Sequence, residues 1–283
     1  MNWNTRDLLR ACLSSIESFP PNDPYEIIVV DNDSTDRSTE MVRNEFPSVR
    51  LVLPGANTGY ARGNNLACEA AVGNVYLTLN PDTEVTEGCL QFTLELLAKR
   101  PEVGCVAARL VGLDGKVQSS VRGFPGFWGI FGDFTKLGTL FPASKLGGYR
   151  LPAFDYSRDQ LAPQPMGTYI LLRKEALQAV GDPKKPFDEG FPIFFNEVDL
   201  LLRLKRAGWG CLYTPDATVR HHGGEGTKQV RKSMIWESHR SLVRFLRKHY
   251  GTVWNAPFLA LFSMLIYCAA FIRARGYDAG FRT

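Results

Sequence analysis

The stretch that decides the fold is Tyr76-Leu77-Thr78-Leu79-Asn80-Pro81-Asp82-Thr83-Glu84. Its apolar first half has the length of a buried strand, and Asp82 follows the strand's carboxyl end. In an open α/β sheet, ligands bind outside the carboxyl ends of the strands, where a carboxylate can hold a divalent cation against nucleotide phosphates. A β-turn is the other explanation for this acid, because Asn, Pro and Asp are all common turn residues.

A second strand pattern also ends in an acid. Glu26-Ile27-Ile28-Val29-Val30 is followed by Asp31-Asn32-Asp33-Ser34-Thr35-Asp36. Taken alone, this segment is typical of a turn with a helix cap. Two strands that bring acids to the same edge of a sheet favour a nucleotide site instead.

Helix and strand patterns alternate along most of the chain. A helix is predicted from Thr5 to about Phe19, and an alanine-rich helix is predicted to follow Gly55–Asn65. A strand, Trp209–Thr214, is predicted ahead of Pro215. This alternation predicts an α/β fold with a mixed, mostly parallel sheet and helices on both faces.

Composition excludes several classes of protein. The 283 residues are 45% hydrophobic and 22% charged, as in a globular protein. The net charge of +4 is modest and the basic residues lack aromatic-studded patches, so nucleic acid is not expected as a partner. The scattered cysteines form no C-x-x-C pair, which fits a reducing cytosol rather than a zinc site or a disulfide scaffold. The opening residues predict no signal peptide.

An irregular, aromatic-rich segment runs from about Gly123 to Pro165. Its length and its aromatic content favour a lid or a binding segment over a disordered loop.

The C-terminal part combines basic and apolar residues. Lys228–Tyr250 is rich in Arg, Lys and His, and the 17 residues Ala256–Ile272 carry no charge. This run is at the lower limit for crossing a bilayer, so it predicts a membrane-associating helix or a helix pair packed on the domain. The residues expected to meet lipid headgroups are Arg231, Lys232, Arg240, Arg244, Arg247 and Lys248.

Asn196-Glu197-Val198-Asp199 opens a predicted helix after the aromatic segment Phe191–Phe195. An Asn cap with acids in the first turn explains these residues structurally. A carboxylate beside an aromatic wall is equally suited to act as a general base for a hydroxyl nucleophile.

His221-His222-Gly223-Gly224 is either a source of imidazole for a cation or a polar turn. Gly55–Asn65 contains neither a dinucleotide fingerprint nor a P-loop.

In combination, these segments resemble the inverting glycosyltransferases of family 2, which have the GT-A fold, and most closely their rhamnosyltransferase-like branch. The motifs occur in the family's order over residues 2–225. The matching segments are Asn2-Trp3-Asn4-Thr5, Val29–Asp36, Asn57–Asn65, Leu79–Glu84, Phe187-Asp188-Glu189, Asn196–Leu200 with Arg203 and Ala207-Gly208-Trp209, and His221–Gly224.

The resemblance implies a role for each matching residue. Glu197 corresponds to the catalytic base, and Asp82 and His221 correspond to the metal-side residues, with Mg²⁺ or Mn²⁺ as the cofactor. The positions implied to bind the nucleotide are Asp31, Asn32, Asn57, Gly59, Arg62, Asn65 and Asn80. Weaker contacts to acceptor or donor are implied for Glu84, Gly167, Asp199 and His222.

Two features depart from the family pattern. Asn80 stands where the first acid of the family's D-x-D lies, which predicts weaker metal dependence. Family members carry a central strand of the type V-x-V-V-I-V ahead of the position of Asn2, and the printed sequence begins without it. The expected organisation is therefore a GT-A domain at 1–225 without its first strand, and a helical membrane-associating tail at 226–283.

The resemblance implies transfer of a sugar, such as the deoxysugar rhamnose, from a dTDP- or UDP-sugar to a hydroxyl with inversion. The implied acceptor is a lipid-linked or cell-surface glycan, and the implied location is the cytoplasmic face of the cell membrane. The alternative is a catalytically impaired protein of the same fold that binds nucleotide sugars or a membrane surface.

Overall fold

The computed structural model describes residues 1–223 and 231–278. Its helices are α1 (Arg6–Ser18), α2 (Ser38–Glu45), α3 (Gly59–Ala70), α4 (Cys89–Lys99), α5 (Phe127–Phe134), α6 (Leu137–Leu140), α7 (Lys174–Gln178), α8 (Asn196–Arg206), α9 (Arg231–Tyr250) and α10 (Ala256–Asp278). Its strands are β1 (Ile28–Val30), β2 (Arg50–Val52), β3 (Val75–Leu79), β4 (Thr83–Val85), β5 (Val103–Val111), β6 (Val121–Arg122), β7 (Gln160–Leu161), β8 (Gln164–Pro165), β9 (Tyr169–Arg173) and β10 (Gly210–His221). The boundary expected at residues 225 and 226 lies outside these ranges.

The main sheet has six strands in the order β3-β9-β5-β10-β4, with β7 also paired to β10. β10 is parallel to β5, whereas β9 is antiparallel to both of its neighbours and β4 is antiparallel to β10. β3, β5 and β10 therefore run in one direction. The predicted α/β class with a mixed sheet is confirmed.

Helices cover both faces of this sheet. Neighbouring side chains of β5 point to opposite sides, so each face has apolar residues for a helix to pack on. On one face, Val106 packs in a core with Leu97 of α4. On the other face, Ala107 packs with Leu200 and Leu204 of α8. A strand that is buried on both faces is rich in apolar residues, as β5 is apart from the half-buried Arg109.

A separate two-stranded sheet holds the first acid motif. β1 pairs with β2 in parallel, and Asn2 forms a parallel bridge with Asp31 at the end of β1. The amide of Asn2 donates to the carbonyl of Val30 at 2.8 Å, and the amide of Asn32 donates to the carbonyl of Asn2 at 2.9 Å. Within residues 1–223 and 231–278, no strand pairing joins this sheet to the main one.

β10 extends seven residues further than the sequence indicates, to His221 instead of Thr214. The register with β5 shifts between Thr214 and Thr218, and this bulge contains Pro215, which has no amide hydrogen to donate. Beyond the bulge β10 also pairs with β4, which sets His221 opposite Thr83.

The segment 123–165, expected to be irregular, contains α5, α6 and two short strands. α5 is ordered by an apolar contact that is remote in sequence, because Phe127 and Ile130 pack with Leu259 and Phe262 of α10. α10 is the one helix in the described residues that is long and apolar enough to cross a membrane, over Ala256–Arg275.

α9 is fixed to the domain by a buried charge cluster around Asp199 of α8. The Asp199 carboxylate is fully buried and accepts from Arg203 at 2.8 Å, Lys248 at 2.6 Å and His249 at 2.7 Å. Lys248 also pairs with Asp188 at 2.8 Å. Lys248 is an exposed residue whose ammonium group pairs with two carboxylates of the protein, and its contact with lipid headgroups stays a prediction.

The Asp199 cluster predicts a pH dependence of stability. Burial alone would raise the pKa of Asp199, but the hydrogen bonds from His249 and Lys248 and the charge of Arg203 lower it from 3.8 to about 2. A carboxyl group with a lowered folded-state pKa stabilises the fold above its unfolded pKa and loses that contribution as the pH falls. We expect about 2 kcal/mol of unfolding free energy to disappear between about pH 4 and pH 2 in the wild type, but not in Asp199→Asn.

Urea unfolding of both proteins from about pH 2 to pH 7 measures this difference. Asp216→Asn, at an exposed position, serves as the control and should follow the wild type. Parallel pH profiles for wild type and Asp199→Asn would show that the cluster contributes nothing specific.

Candidate active site

Asp82 and His221 face each other where β3, β4 and β10 meet. Asp82 lies between β3 and β4 and is buried, and the Nε2 atom of His221 is 3.6 Å from its Oδ2 atom. The pairing of His221 with Thr83 fixes this approach through the backbone. The backbone also joins the segments directly, since the amide of His222 donates to the carbonyl of Asp82 at 3.0 Å.

Gln118 determines which nitrogen of His221 carries the proton. Its Nε2 atom donates to the backbone carbonyl of His221 at 3.1 Å, so its Oε1 atom must be the one that contacts Nδ1 at 2.8 Å. An amide oxygen only accepts, so Nδ1 is the protonated nitrogen. The lone pair of a neutral His221 is therefore on Nε2 and directed toward Asp82, as in a metal ligand that is oriented by its other nitrogen.

A divalent cation fits this pair of residues. In the described part of the chain no cluster of three or more His, Cys, Asp or Glu side chains occurs, so Asp82 and His221 would supply only part of a coordination shell. The Oδ1 atom of Asn80 is buried and makes no hydrogen bond within the described residues, and a buried polar atom of this kind calls for a partner. Mg²⁺ is commonly bound by one or two protein ligands together with substrate phosphates and water.

Glu197 lies in the first turn of α8 with its side chain against Gly167. A Cβ atom at Gly167 would be 3.2 Å from Cγ of Glu197, so a larger residue there would have to displace the Glu197 side chain by a few tenths of an ångström. Burial raises the pKa of Glu197 from 4.5 to about 7, although the backbone amides of Glu197 and Val198 counteract part of the rise. A carboxyl group with this pKa is suited to take up a proton near neutral pH.

The predicted cap of this helix is wrong. Phe195, with a φ of +68°, is the N-cap, and Asn196 is the first helical residue. The side-chain amide of Asn196 donates to the carbonyl of Ile193 at 2.7 Å. The left-handed conformation of Phe195 moves the cap one residue upstream of the polar side chain that sequence reasoning selected.

Tyr60 connects the two halves of the site. Its hydroxyl donates to the carbonyl of Gly167 at 3.1 Å. Burial, then the negative charge of Glu197, and to a smaller extent that of Asp82, raise the pKa of Tyr60. Glu197 packs against the same Gly167 to which the Tyr60 hydroxyl is bonded, and the charges of Glu197 and Asp82 both act on that hydroxyl.

The helix N-terminus at Gly59 binds protein rather than an open cleft. The amides of Tyr60 and Ala61 donate to the carbonyl of Pro192 at 2.6 and 3.1 Å. Gly59 has a φ of +80°, and a Cβ atom there would be 2.8 Å from the same carbonyl oxygen. The α3 terminus thus fixes the segment that leads into α8.

Asp31 and Asn32 are both buried and hydrogen-bonded at the end of β1. Asp31 accepts from the side chain of Asn2 at 2.7 Å and from the amide of Ser34 at 2.8 Å. Asn32 donates to the carbonyl of Gly59 at 3.0 Å and accepts from the hydroxyl of Thr58 at 2.9 Å. These bonds tie the first acid motif to the start of α3.

Several other predicted site residues contact neighbouring segments. Arg62 pairs with Glu189 at 3.1 Å, and Asn65 donates to the carbonyl of Phe187 at 2.9 Å. The Oδ1 atom of Asn57 accepts from the amide of Gly59 at 3.0 Å.

On the metal side, Glu84 and His222 bind each other at 2.8 Å, next to Asp82 and His221. Asp199 belongs to the buried cluster that holds α9.

Sequence reasoning gave no role to three residues that organise the site, namely Asn2, Tyr60 and Gln118. Asn2 and Tyr60 lie in segments that match family motifs, so those motifs could have indicated that the two residues belong to the site. Gln118 lies in a polar loop between β5 and β6 without any motif, and only the fold shows that it reaches His221.

A family model for glycosyl transferase family 2 matches residues 2–181. An N-acetylglucosaminyl-diphospho-decaprenol L-rhamnosyltransferase from Mycobacterium tuberculosis (strain H37Rv) is 29% identical over 250 residues, which cover 83% of this chain and 78% of that protein. An O-antigen biosynthesis protein from Myxococcus xanthus is 30% identical over 220 residues, which cover 76% of this chain and 16% of that protein. The predicted resemblance to the rhamnosyltransferase-like branch is confirmed.

Solved structures show the same fold. A mannosyltransferase from Pyrobaculum calidifontis in complex with GDP-Man and Mn²⁺ has a TM-score of 0.59 at 17% identity and covers 97% of this chain and 73% of its own. GalNAc-T7 with UDP, GalNAc and Mn²⁺ has a TM-score of 0.57 at 15% identity and covers 83% of this chain and 44% of its own. The predicted GT-A fold is confirmed.

The contact between Gln118 and His221 can be tested by substitution. Gln118→Leu removes both hydrogen bonds and should weaken the binding of Mn²⁺ in the presence of a nucleoside diphosphate roughly 10- to 100-fold. Gln118→Glu keeps an acceptor at Nδ1 and should retain most of the affinity. Titration calorimetry measures the affinity, and ¹⁵N shifts of the imidazole ring report the tautomer.

Gln178→Leu, at an exposed position of α7, is the matched control and should leave both quantities unchanged. An unaltered tautomer and Mn²⁺ affinity in Gln118→Leu would contradict the role assigned to Gln118.

Proposed function

Because the chain belongs to glycosyl transferase family 2, we propose that it transfers a sugar from a nucleoside diphosphate sugar to an acceptor hydroxyl with inversion at the anomeric carbon. The observation that carries this proposal is the position of Glu197. Its carboxyl group has a pKa of about 7 and lies against Gly167, whose carbonyl accepts from the Tyr60 hydroxyl. Glu197 would then serve as the base for the acceptor, and Asp82 at the end of β3 would serve the diphosphate side.

In the proposed reaction, ionised Glu197 takes the proton from the acceptor hydroxyl. The acceptor oxygen then bonds to the anomeric carbon as the bond to the diphosphate breaks, and attack from the face opposite the leaving group inverts the configuration. Asp82 and His221 would hold a Mg²⁺ or Mn²⁺ ion, which supplies positive charge to the diphosphate when bound. Gly167 leaves space for the Glu197 side chain, and Gln118 orients His221.

The nucleotide is proposed to bind along the ends of β1 and β3. Asp31 and Asn32 would line its base and ribose, and Asn80 would offer its buried amide oxygen. Four further residues would support this nucleotide-binding surface through the contacts described above, and each is also a candidate for direct contact with the nucleotide. They are Asn57, Gly59, Arg62 and Asn65. Glu84, Gly167 and His222 remain candidates for weaker donor or acceptor contacts, and Asp199 acts through the position of α8.

The donor is proposed to be a dTDP- or UDP-deoxysugar such as dTDP-rhamnose, with a lipid-linked glycan as acceptor. The name of the mycobacterial relative, an N-acetylglucosaminyl-diphospho-decaprenol L-rhamnosyltransferase, supports this choice. An apolar α10 with basic residues around it supports a peripheral location at the inner face of the cell membrane, where anionic lipids attract basic segments.

A protein that binds nucleotide sugars without transferring them is the second candidate, and it has less support. Titration calorimetry with UDP and dTDP, with and without Mn²⁺, combined with a transfer assay using radiolabelled donor, separates the two. Binding without transfer to any lipid-linked or soluble acceptor would favour the binding protein. Transfer with inversion, followed by NMR of the anomeric proton, supports the enzyme.

Glu197→Gln tests the base. We expect turnover to fall by at least 100-fold while donor affinity is retained, because the amide keeps the shape but cannot take a proton. In the wild type, the rate should rise with pH through about 7, since a base acts only when ionised and burial raises the pKa of Glu197 to about 7. If Glu197 serves only the helix dipole, the variant would lose roughly 0.3–1 kcal/mol of stability and little activity. Rate profiles and thermal melts on one preparation distinguish these results.

Asp82→Ala tests the metal side. Asp82 is at a strand end and is not part of the apolar core, so we expect the fold to persist and transfer to be lost. Circular dichroism and melting temperature verify the fold, and calorimetry should show weaker Mn²⁺-dependent donor binding. Thr83→Ser, at the neighbouring buried position, is a conservative control. Undiminished turnover in Asp82→Ala would remove the metal-side assignment.

A further inference from the structure

We propose that α5, α6 and the exposed face of α10 form a single surface that docks onto an anionic lipid bilayer. The membrane association proposed above then involves residues 127–141 as well as the C-terminal helix. It extends the proposed function but is tested separately from catalysis.

Most of the large apolar side chains that are exposed lie in two segments, 128–141 and 253–272. In the first segment, Trp128 is 63% exposed, Leu140 72% and Phe141 56%. A concentration of exposed bulky apolar side chains is typical of an interaction site, whereas scattered single apolar residues are normal on a protein surface.

α10 presents apolar residues on two sides. One side packs onto α9 and α5 through Leu259, Phe262 and Ile266. The other side is exposed, and its members recur at helical spacing. They are Phe258, Leu261, Met264, Leu265, Phe271 and Ile272. A helix that is apolar all round and has one side open to solvent requires a further apolar partner.

The two segments form one surface because α5 packs directly against α10. The ring of Phe127 lies 5.0 Å from that of Phe258 and 5.5 Å from that of Phe262. Phe131 and Phe134 follow Phe127 at i+4 and i+7, so they extend the same side of α5. Both rings are nearly half exposed, at 44% and 47%.

The charges around this surface favour anionic lipid. Residues 238–275 contain no Asp or Glu and six Arg and Lys residues, of which Lys248 pairs with Asp188 and Asp199. Arg247 lines an open groove of about 640 Å³ together with Met264 and Ile272 of α10. On the α5 side, Lys136 and Lys145 are exposed, whereas the one acid, Asp133, is paired with Arg150.

These charges also argue against a second copy of the chain as the partner. In a two-fold symmetric dimer each basic residue at the rim faces a surface with the same net charge, and like charges repel. An anionic bilayer instead pairs with every basic residue and accepts the aromatic side chains at its interface.

Docking at this surface would place the active site beside the membrane. Phe195, the N-cap of α8, packs in the same apolar cluster as Ile130 of α5 and Leu259 of α10. The helix that carries Glu197 therefore begins on the docking element itself. An acceptor anchored in the bilayer by its lipid can reach Glu197 without leaving the membrane.

The experiment uses the full chain and vesicles of phosphatidylglycerol or phosphatidylcholine. Phe131→Ser/Phe134→Ser should lower partitioning onto phosphatidylglycerol vesicles roughly 10- to 100-fold in co-sedimentation. The matched control is Val72→Ser/Leu113→Ser, which removes two exposed apolar residues outside the surface and should bind as the wild type does. Equal partitioning of both double variants, or wild-type protein that stays in the supernatant, would overturn the proposal.

Trp128→Phe gives a second measurement that does not depend on the double variant folding. Brominated lipids should quench tryptophan fluorescence in the wild type, and the quenched fraction should fall in Trp128→Phe. An unchanged fraction, or a concentration-dependent dimer that Phe131→Ser/Phe134→Ser abolishes, contradicts docking onto lipid by this surface. Transfer to a soluble acceptor analogue should be the same in the wild type and the double variant. If the wild type transfers no sugar to any acceptor, the proposed function is refuted, but the vesicle result still decides whether this surface binds lipid.

Discussion

The hydrogen-bond ladders on both sides of β10 are the constraint on which the site depends. β10 is parallel to β5 for most of its length and, past the bulge, also antiparallel to β4. The register with β4 sets His221 opposite Thr83, next to Asp82. A shift of one residue would turn His221 to the other face of the sheet. The bulge around Pro215 therefore decides whether a histidine and a carboxylate meet at this edge.

The sequence indicated where the candidate site lies because its signals are local. Apolar runs that end in acids mark strand ends, and Asp82 and Glu197 were identified in that way or by motif. The family match ends at residue 181, so Glu197 and His221 both lie beyond it. Their assignment therefore depends on the fold, which places Glu197 against Gly167 and His221 against Asp82. Alternation of helices and strands likewise predicted the α/β class, but not the extension of β10.

Sequence alone could not separate residues that face the ligand from residues that hold the wall behind it. Asn32 and Asn65 occur in recognised motifs, yet both use their amides to fix loops, at Gly59 and at Phe187. Gln118 had no motif at all. The reason is physical: a side-chain amide serves equally well as a ligand contact or as a brace for the backbone, and the difference depends on contacts far apart in sequence.

The tail has a similar double role. A basic, apolar segment predicts a membrane-associating helix or a helix pair packed on the domain, and Lys248 and His249 direct their side chains to Asp199. Asp199 is two residues from Glu197 on α8, and Phe195 at the start of that helix packs with α5 and α10. The C-terminal helices are thus part of the scaffold that holds Glu197, the proposed base. Undocking of α9 would leave Asp199 with Arg203 of its own helix, and loss of partners from a buried carboxylate is costly, so α9 stabilises the position of α8. The proposed attachment to a membrane and the position of Glu197 therefore depend on the same helices.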